Sequence, residues 1–541
     1  MKVSQLIGST LRQVEGHTPG MAFLLRAGYL RKPLSDTTVL LSLGQSTLKN
    51  ISQAFCRILE DYGATQIQLP VLHTEDVWTR AGISDVLPQD SMAIFTPFIS
   101  GEISSYRQLP QIAWQMRPAL PSGSGNVLET WIVSSSAAGL QDQIAGINRR
   151  FLQLCAQWNL PVKEIVAESG LSCSRARSWV FPFEEGKTRY MVEREGDFAG
   201  EIPVTATAKT LVQPGFPLPA EKVYTPATAT IQELANFLNI QPSQTAKVVF
   251  FTGKVIRKKQ PQLIIAVIRG DREVNERAVR NHIGAVSLRA ATEAEIVAVG
   301  CVPGFASPMG IRRENVIVIA DDEVVMSPNL VAGANERDFH LKNVCYGRDY
   351  TADIVADITL ASAGLPGLSG LPLEERRGMT LGKNVEPGTW YSDLFKTTYM
   401  SEQGRPEPFH LGYFQWDMEI ILAALAEVHH DENGLIWPES IAPYEIALIS
   451  LEDAEETTIA AAELYQSLCA AGKKVLFDDR NKKVAGPGVK FTDADLLGLP
   501  VRITVSKRTL AEGGVEIKKR NEERKEIVKR EDIFTSSPHH H

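Results

Sequence analysis

Apolar residues at Leu48, Ile51, Phe55, Ile58 and Leu59 recur at three- and four-residue steps, which predicts an amphipathic helix over 45–61. Gly63 stands where a glycine commonly ends such a helix, and the strand-like run Ile67–Leu72 follows. Further on the pattern changes. Val248–Phe251 and Leu263–Ile268 are short, nearly all-apolar runs, as expected of strands buried on both faces. Between and after them, Glu273–His282 has helical composition and Val316–Ile319 reads as another strand. A third rhythm starts at Glu445–Ile449, a strand leading to a helix over 456–471 that Gly472 stops. Strands at Val475–Phe477 and after Leu496–Ile503 complete it. Strand, helix and strand in that order predict parallel pairing with helices on the faces. Pro/Gly-rich passages at 212–219 and 361–373 separate the three patterns, and no internal repeat is present. The tail from Glu516 to Asp532 mixes both charge signs and is expected to be a solvated strand and helix.

At 541 residues the chain is too long for one core, so about three domains are expected. Its 44% hydrophobic and 22% charged content excludes a disordered chain. A net charge of −8 excludes a wholly basic nucleic-acid coat but leaves room for local RNA-binding patches. The six cysteines form no CxxC pair, which favours reduced thiols in a cytoplasm over disulfides or structural zinc. No apolar run reaches 18 residues and no signal-peptide core opens the chain, so a cytoplasmic protein without a membrane anchor is expected. Residues 536–541, ending in three histidines, read as a tag-like tail. His429 and His430 adjoin Asp431 and Glu432, but neighbouring helical side chains point about 100° apart, so no metal site is expected.

Ordered short motifs run through nearly the whole length. They are Ser4–Leu6, Leu24–Lys32, Gln68–Leu72, Val77–Gly82, Ser104–Pro110, Gly486–Asp495, and Ala423-Ala424 with Asp431–Gly434. Together they resemble the bacterial prolyl-tRNA synthetase family of class II aminoacyl-tRNA synthetases. The resemblance implies an α/β and α+β multidomain chain. A class II antiparallel-sheet catalytic-like domain would span 1–212 and 366–437, with an editing-type α/β domain inserted at 213–365. An α/β anticodon-binding-like domain would follow at 438–535. It also implies tRNA, in particular tRNA-Pro, as partner, and a homodimer built by the first class II motif at Gln68–Leu72 and Val77–Gly82.

The synthetic motifs depart from the family's. Its second motif reads FRDE, then RxREFxMKD after a loop. Here Arg117 remains as an ATP-binding remnant, but Pro118-Ala119 replace the acidic pair, Leu128–Ile132 falls over RxREF, and Ser134–Ser136 over MKD. The amino-acid-contacting GPTHEE has no counterpart in Thr96–Glu102, and Arg377–Ser392 loses a glutamate, a histidine and a glutamine. In the closing motif Ile420 stands where an arginine grips ATP, with Asp417 and Glu419 nearby. Activation gathers negative charge on phosphate, and each lost stabiliser costs on the order of 10²–10³ in rate. Two such losses leave roughly 5–8 kcal/mol of barrier uncompensated if they add. Adenylation is therefore expected to be lost unless Arg377 or Arg405 supplies charge from another loop, and ATP and Mg enter as cofactors only if ligation survives. Trp131, Trp390 and Trp416 fall in the altered motifs, pointing either to a repurposed or plugged cavity or to ordinary core packing.

The inserted region keeps its landmarks. Lys247 opens a strand, Arg269–Asn275 resembles the family's RGDxExN, Ala332–Asn335 its AGAN loop, and His340 follows five residues later. The resemblance assigns hydrolysis of alanine mischarged on tRNA to Lys247, Gly333, Ala334, Asn335 and His340, with Arg269, Asp271 and Asn275 binding substrate. An aminoacyl ester is already activated, so positioned water and N–H donors for the oxyanion can suffice. Lys490, Asp493 and Asp495 would meet the anticodon, or alternatively sit at a helix N-terminus where the dipole favours carboxylates. The expected function is Ala-tRNA-Pro hydrolysis without prolyl-adenylate synthesis, on tRNA charged by a true synthetase. A non-catalytic tRNA-binding regulator or assembly subunit and a divergent, active proline ligase are the alternatives.

Overall fold

The computed structural model describes the whole chain except residues 35–36, 71–90, 119–125, 169–174, 210–214, 256–257, 531 and 535–541. Of the first class II motif expected to build a dimer interface, Gln68–Pro70 are described, and the rest, Val77–Gly82 included, lies outside the described residues. The chain divides into two compact units. One comprises Met1–Glu164, Ser172–Thr188 and Arg377–His541, the other Ile165–Leu171 and Arg189–Arg376.

The first unit is built on an antiparallel sheet. Gln111–Pro118, Asn126–Ser134, His410–Asp417, the Gly378–Gly388 part of a long strand, and Arg175–Pro182 lie side by side in that order. Their register places Ala113, Trp131 and Tyr413 in one row and Gln115, Glu129 and Gln415 in the next. Side chains alternate across a strand, so each face has its own core. On one face Leu128, Ile132, Phe414, Trp416 and Trp179 pack with helices Ser42–Asp61, Ala137–Gln157 and Met418–Val428. On the other, Ala113, Trp131, Val133 and Leu411 pack beneath helix Ser91–Glu102. Trp416 stacks on Trp179 with ring centroids 4.5 Å apart, and Trp131 stacks on Phe95 at 5.0 Å. Both tryptophans are fully buried core residues. Asp417 is the N-cap of the Met418 helix, its Oδ1 accepting from the Ile420 N–H at 3.0 Å.

The C-terminal part of this unit shows the expected parallel core, Val475–Asp478 and Val501–Val505 flanking Ile446–Ser450. The tail departs from expectation. Val515–Lys519 and Lys525–Val528 extend the sheet as an antiparallel pair, Glu516 is buried, and only the short turn Asp532–Phe534 is helical. Alternation of Val515 and Ile517 with charged residues suits a strand with one face buried better than a helix.

The second unit holds a mixed five-stranded sheet in the order Ala285–Ala290, Ala246–Val255, Gln262–Arg269, Val316–Asp321, Ile354–Ala356. Gln262–Arg269 is central and wholly buried, which explains its unbroken apolar run. A second, three-stranded antiparallel sheet sets Phe339–Val344 between Glu221–Tyr224 and Leu330–Gly333. A bridge between Thr245 and Val331 brings the start of the Lys247 strand beside the Gly333 strand. Among the described residues no helix is long and apolar enough to cross a membrane, and no group of three metal-ligating side chains occurs.

Candidate functional sites

In the second unit the three-stranded sheet sets Gly333 directly opposite His340. A Cβ at Gly333 would lie 2.2 Å from the Phe305 carbonyl oxygen, so only glycine fits there. The Phe305 ring packs 5.4 Å from the His340 ring. His340 Nδ1 pairs with the Thr225 hydroxyl at 2.7 Å, and burial pushes its imidazole down to about 4, leaving it neutral at pH 7. A neutral ring held at Nδ1 brings no charge to this part of the fold.

Asn335 is engaged in the loop that it faces. It adopts a left-handed φ of 53°, which asparagine tolerates. Its Oδ1 accepts from Ser307 N–H at 2.9 Å, and its Nδ2 donates to the Ser307 carbonyl at 3.1 Å and the Met309 carbonyl at 2.8 Å. It is a clamp on the 305–309 loop. The N–H of Ala334 donates to the Phe339 carbonyl and that of Asn335 to the Phe305 carbonyl, so both are engaged within the fold.

Arg269, Asp271 and Asn275 likewise make contacts within the fold. Arg269 is buried and forks onto Asp271 at 2.6 and 2.9 Å, with Glu323 at 3.4 Å. Burial opposes ionisation of Asp271, but that fork prevails and holds it below the usual carboxylate range. Asn275 caps helix Glu276–Ile283 by accepting from Ala278 N–H, and donates to the Pro203 carbonyl. Lys247, partly exposed, pairs with Glu273 at 2.9 Å. Thr225 and Phe305, which the sequence reading passed over, join Gly333 and His340. Each lies in an unremarkable Thr-Pro or Gly-Phe-Ala context, and only strand register reveals the association.

In the first unit, Arg117 is held by Glu129. Its Nε lies 2.8 Å from Oε2 and its Nη2 donates to Oε1 at 3.0 Å. Glu129 is 1% exposed and also accepts from Gln115 Nε2 at 2.7 Å, Ser91 Oγ at 3.2 Å and the Tyr413 hydroxyl. Burial, then the Glu129 charge, drives the Tyr413 phenol well above its ordinary value. Arg377 and Arg405, the alternative sources of charge, are both exposed. Trp390 is only partly buried and packs edge-on against Tyr391 at 4.8 Å.

In the C-terminal part, Lys490 is 2% exposed and its ammonium donates to the carbonyls of Ser450, at 2.7 Å, and Arg480. Asp493 accepts from Thr10 at 2.9 Å and pairs with Arg480 at 2.9 Å, and Asp495 pairs with Arg502 at 2.9 Å. Both aspartates lie in the second half of helix Pro487–Leu497, so a dipole explanation does not hold. Asp478, Arg480, Lys490 and Asp493 help line a cavity of about 130 Å³.

Comparison with known proteins fits this division of the chain. A family model for the aminoacyl-tRNA editing domain matches residues 225–348, and one for an anticodon-binding domain matches 445–536. Proline–tRNA ligase of Dehalococcoides mccartyi is 32% identical over 99% of this chain and 98% of its own length. That of Desulforamulus reducens is 30% identical over 98% and 97%. The crystal structure of Cryptosporidium parvum prolyl-tRNA synthetase with halofuginone and AMPPNP superposes with a TM-score of 0.51 at 11% identity. It covers 95% of this chain and 75% of that one, a likeness of fold alone. Full-length identity at this level, with both accessory domains in order, places the chain in the bacterial-type prolyl-tRNA synthetase family of class II synthetases.

Proposed function

We propose that this protein binds tRNA-Pro and hydrolyses alanine mischarged onto it, without itself forming prolyl-adenylate. The observation that carries the reading is the pairing of Arg117 with Glu129. The one arginine retained in the second synthetic motif is already neutralised by a buried carboxylate of the neighbouring strand. A guanidinium whose Nε and Nη2 are turned onto Glu129, with Nη1 donating to the Pro118 carbonyl, is poorly placed to set charge against the α-phosphate as it builds there. The apolar packing of Trp131 and Phe95 on the same sheet face supports the reading. In the second unit, the close quarters around Gly333, the neutral His340 and the accessible Lys247 suit a pocket for a small acyl group, with Lys247 meeting the terminal nucleotide. The protein would act in the cytoplasm, as a homodimer, on tRNA charged by an active synthetase.

Retained proline ligation is a second reading, favoured by the full-length relatives named proline–tRNA ligases. Proline-dependent pyrophosphate exchange and deacylation of Ala-tRNA-Pro decide between them. The proposal expects no exchange and deacylation well above the uncatalysed rate. Clear exchange overturns the first half, and absence of deacylation leaves a tRNA-binding regulator in its place.

A further inference from the structure

We infer that Glu129 fills a ready-made anion receptor, and that its carboxylate stands where an external carboxylate or phosphate would otherwise bind. The inference rests on the closed-site reading of the synthetic face and adds what closes it.

Four side chains from three separate elements converge on the two oxygens. Arg117 approaches both, at 2.8 and 3.0 Å. Gln115 Nε2 donates to Oε2 at 2.7 Å, while Ser91 and Tyr413 hydroxyls reach Oε1. The Gln115 amide is oriented by its far end, because its Oε1 accepts from Leu69 N–H at 2.8 Å. Its NH₂ therefore faces the carboxylate whether or not Glu129 is there. Arg117 and Gln115 extend from Gln111–Pro118, Tyr413 from His410–Asp417, and Ser91 opens helix Ser91–Glu102. The donors thus come from three chain segments, with Arg117 and Gln115 sharing one strand. A forked guanidinium flanked by an amide and two hydroxyls is the set that recognises a carboxylate or phosphoryl group. Nothing in it is selective for an internal glutamate, so the occupant is exchangeable in principle once its tether is cut.

Cutting the tether is the experiment. Glu129→Ala removes the carboxylate and leaves the donors, so the variant should be strongly destabilised in chloride buffer. Sodium acetate or formate should restore it, inorganic phosphate serving as the second probe. At a hundred times its Kd, acetate raises the folded-to-unfolded ratio about a hundredfold. Wild type and Glu129→Ala/Arg117→Met should show no such gain. Crystals of the rescued variant should hold acetate between Arg117, Gln115 and Tyr413. Equal effects of acetate on all three proteins would overturn the inference.

Should Glu129→Ala fail to fold even in acetate, Arg117→Met gives the answer without an added ion. The carboxylate then faces only neutral donors, and Tyr413 is the sole titratable neighbour among the described contacts. Stability of that variant should rise as pH falls from 7 to 5, since the orphaned carboxyl takes up a proton in the folded state. A profile parallel to wild type would count against a receptor built for an anion. Pyrophosphate exchange by the wild type would overturn the closed-site reading while leaving the acetate result to stand on its own.

Discussion

Arg117 and Glu129 face each other across neighbouring antiparallel strands, 2.8 Å apart at their closest, with the carboxylate almost wholly shielded from water. Breaking a buried pair by removing one partner leaves the other charge uncompensated, typically at a cost of about 3–5 kcal/mol. Arg117→Met should lose stability of that order by urea denaturation at pH 7. Because the guanidinium is occupied, millimolar ATP should leave the wild-type Tm unchanged.

Gly333→Ala tests the close approach. Its Cβ would meet the backbone of Phe305 at 2.2 Å, a contact no side-chain rotation relieves. Overpacking of this kind costs about 1–3 kcal/mol. Deacylation of Ala-tRNA-Pro should fall at least about tenfold, on the scale of a lost positioning contact, while tRNA affinity by filter binding stays unchanged.

His340 gives a pH signature. Its folded value, about 4, lies below the 6.5 of an unperturbed histidine. The unfolded chain therefore binds the proton first, so this stabilisation is present above pH 6.5 and lost as pH falls toward 4. The loss should be on the order of 2 kcal/mol at the acid end. Urea midpoints at pH 7 and 4.5 should differ more in wild type than in His340→Gln. Deacylation should show no inflection near 6.5.

Asn335→Ala should loosen the 305–309 loop, since it orphans the Ser307 N–H and the Met309 carbonyl. Unsatisfied buried groups cost about 1–3 kcal/mol. Amide exchange at residues 305–309 should speed up, and a smaller effect from Asn335→Asp, which keeps Oδ1, would identify the Ser307 bond as dominant.

Lys490→Met separates a structural lysine from a phosphate contact. A phosphate-binding lysine would lower the salt slope of tRNA binding by about 1 when removed. The buried ammonium, spent on the carbonyls of Ser450 and Arg480, predicts an unchanged slope and a lower Tm.

Much of the fold was legible because local period carries it. The Leu48–Leu59 spacing lies within helix Ser42–Asp61, and the apolar runs at 248–251 and 263–268 fall inside strands. The departures share one cause. The partner of Arg117 lies twelve positions away on the next strand, that of His340 lies 115 positions back, and Asn335 binds a loop 28 positions earlier. Sequence motifs mark such residues as notable without saying what they touch. A motif residue whose hydrogen bonds all end on its own chain reads the same, letter by letter, as one that waits for a ligand.

If adenylation is lost as proposed, the Trp131–Phe95 stack would make it hard to regain. Truncating either ring costs about 3–5 kcal/mol, a large part of the 5–15 kcal/mol that holds a domain together. Carving an amino-acid-sized hollow there in single steps would pass through intermediates too unstable to persist. On that reading, regaining a proline-sized pocket would require several compensating substitutions at once, a ratchet against reversal.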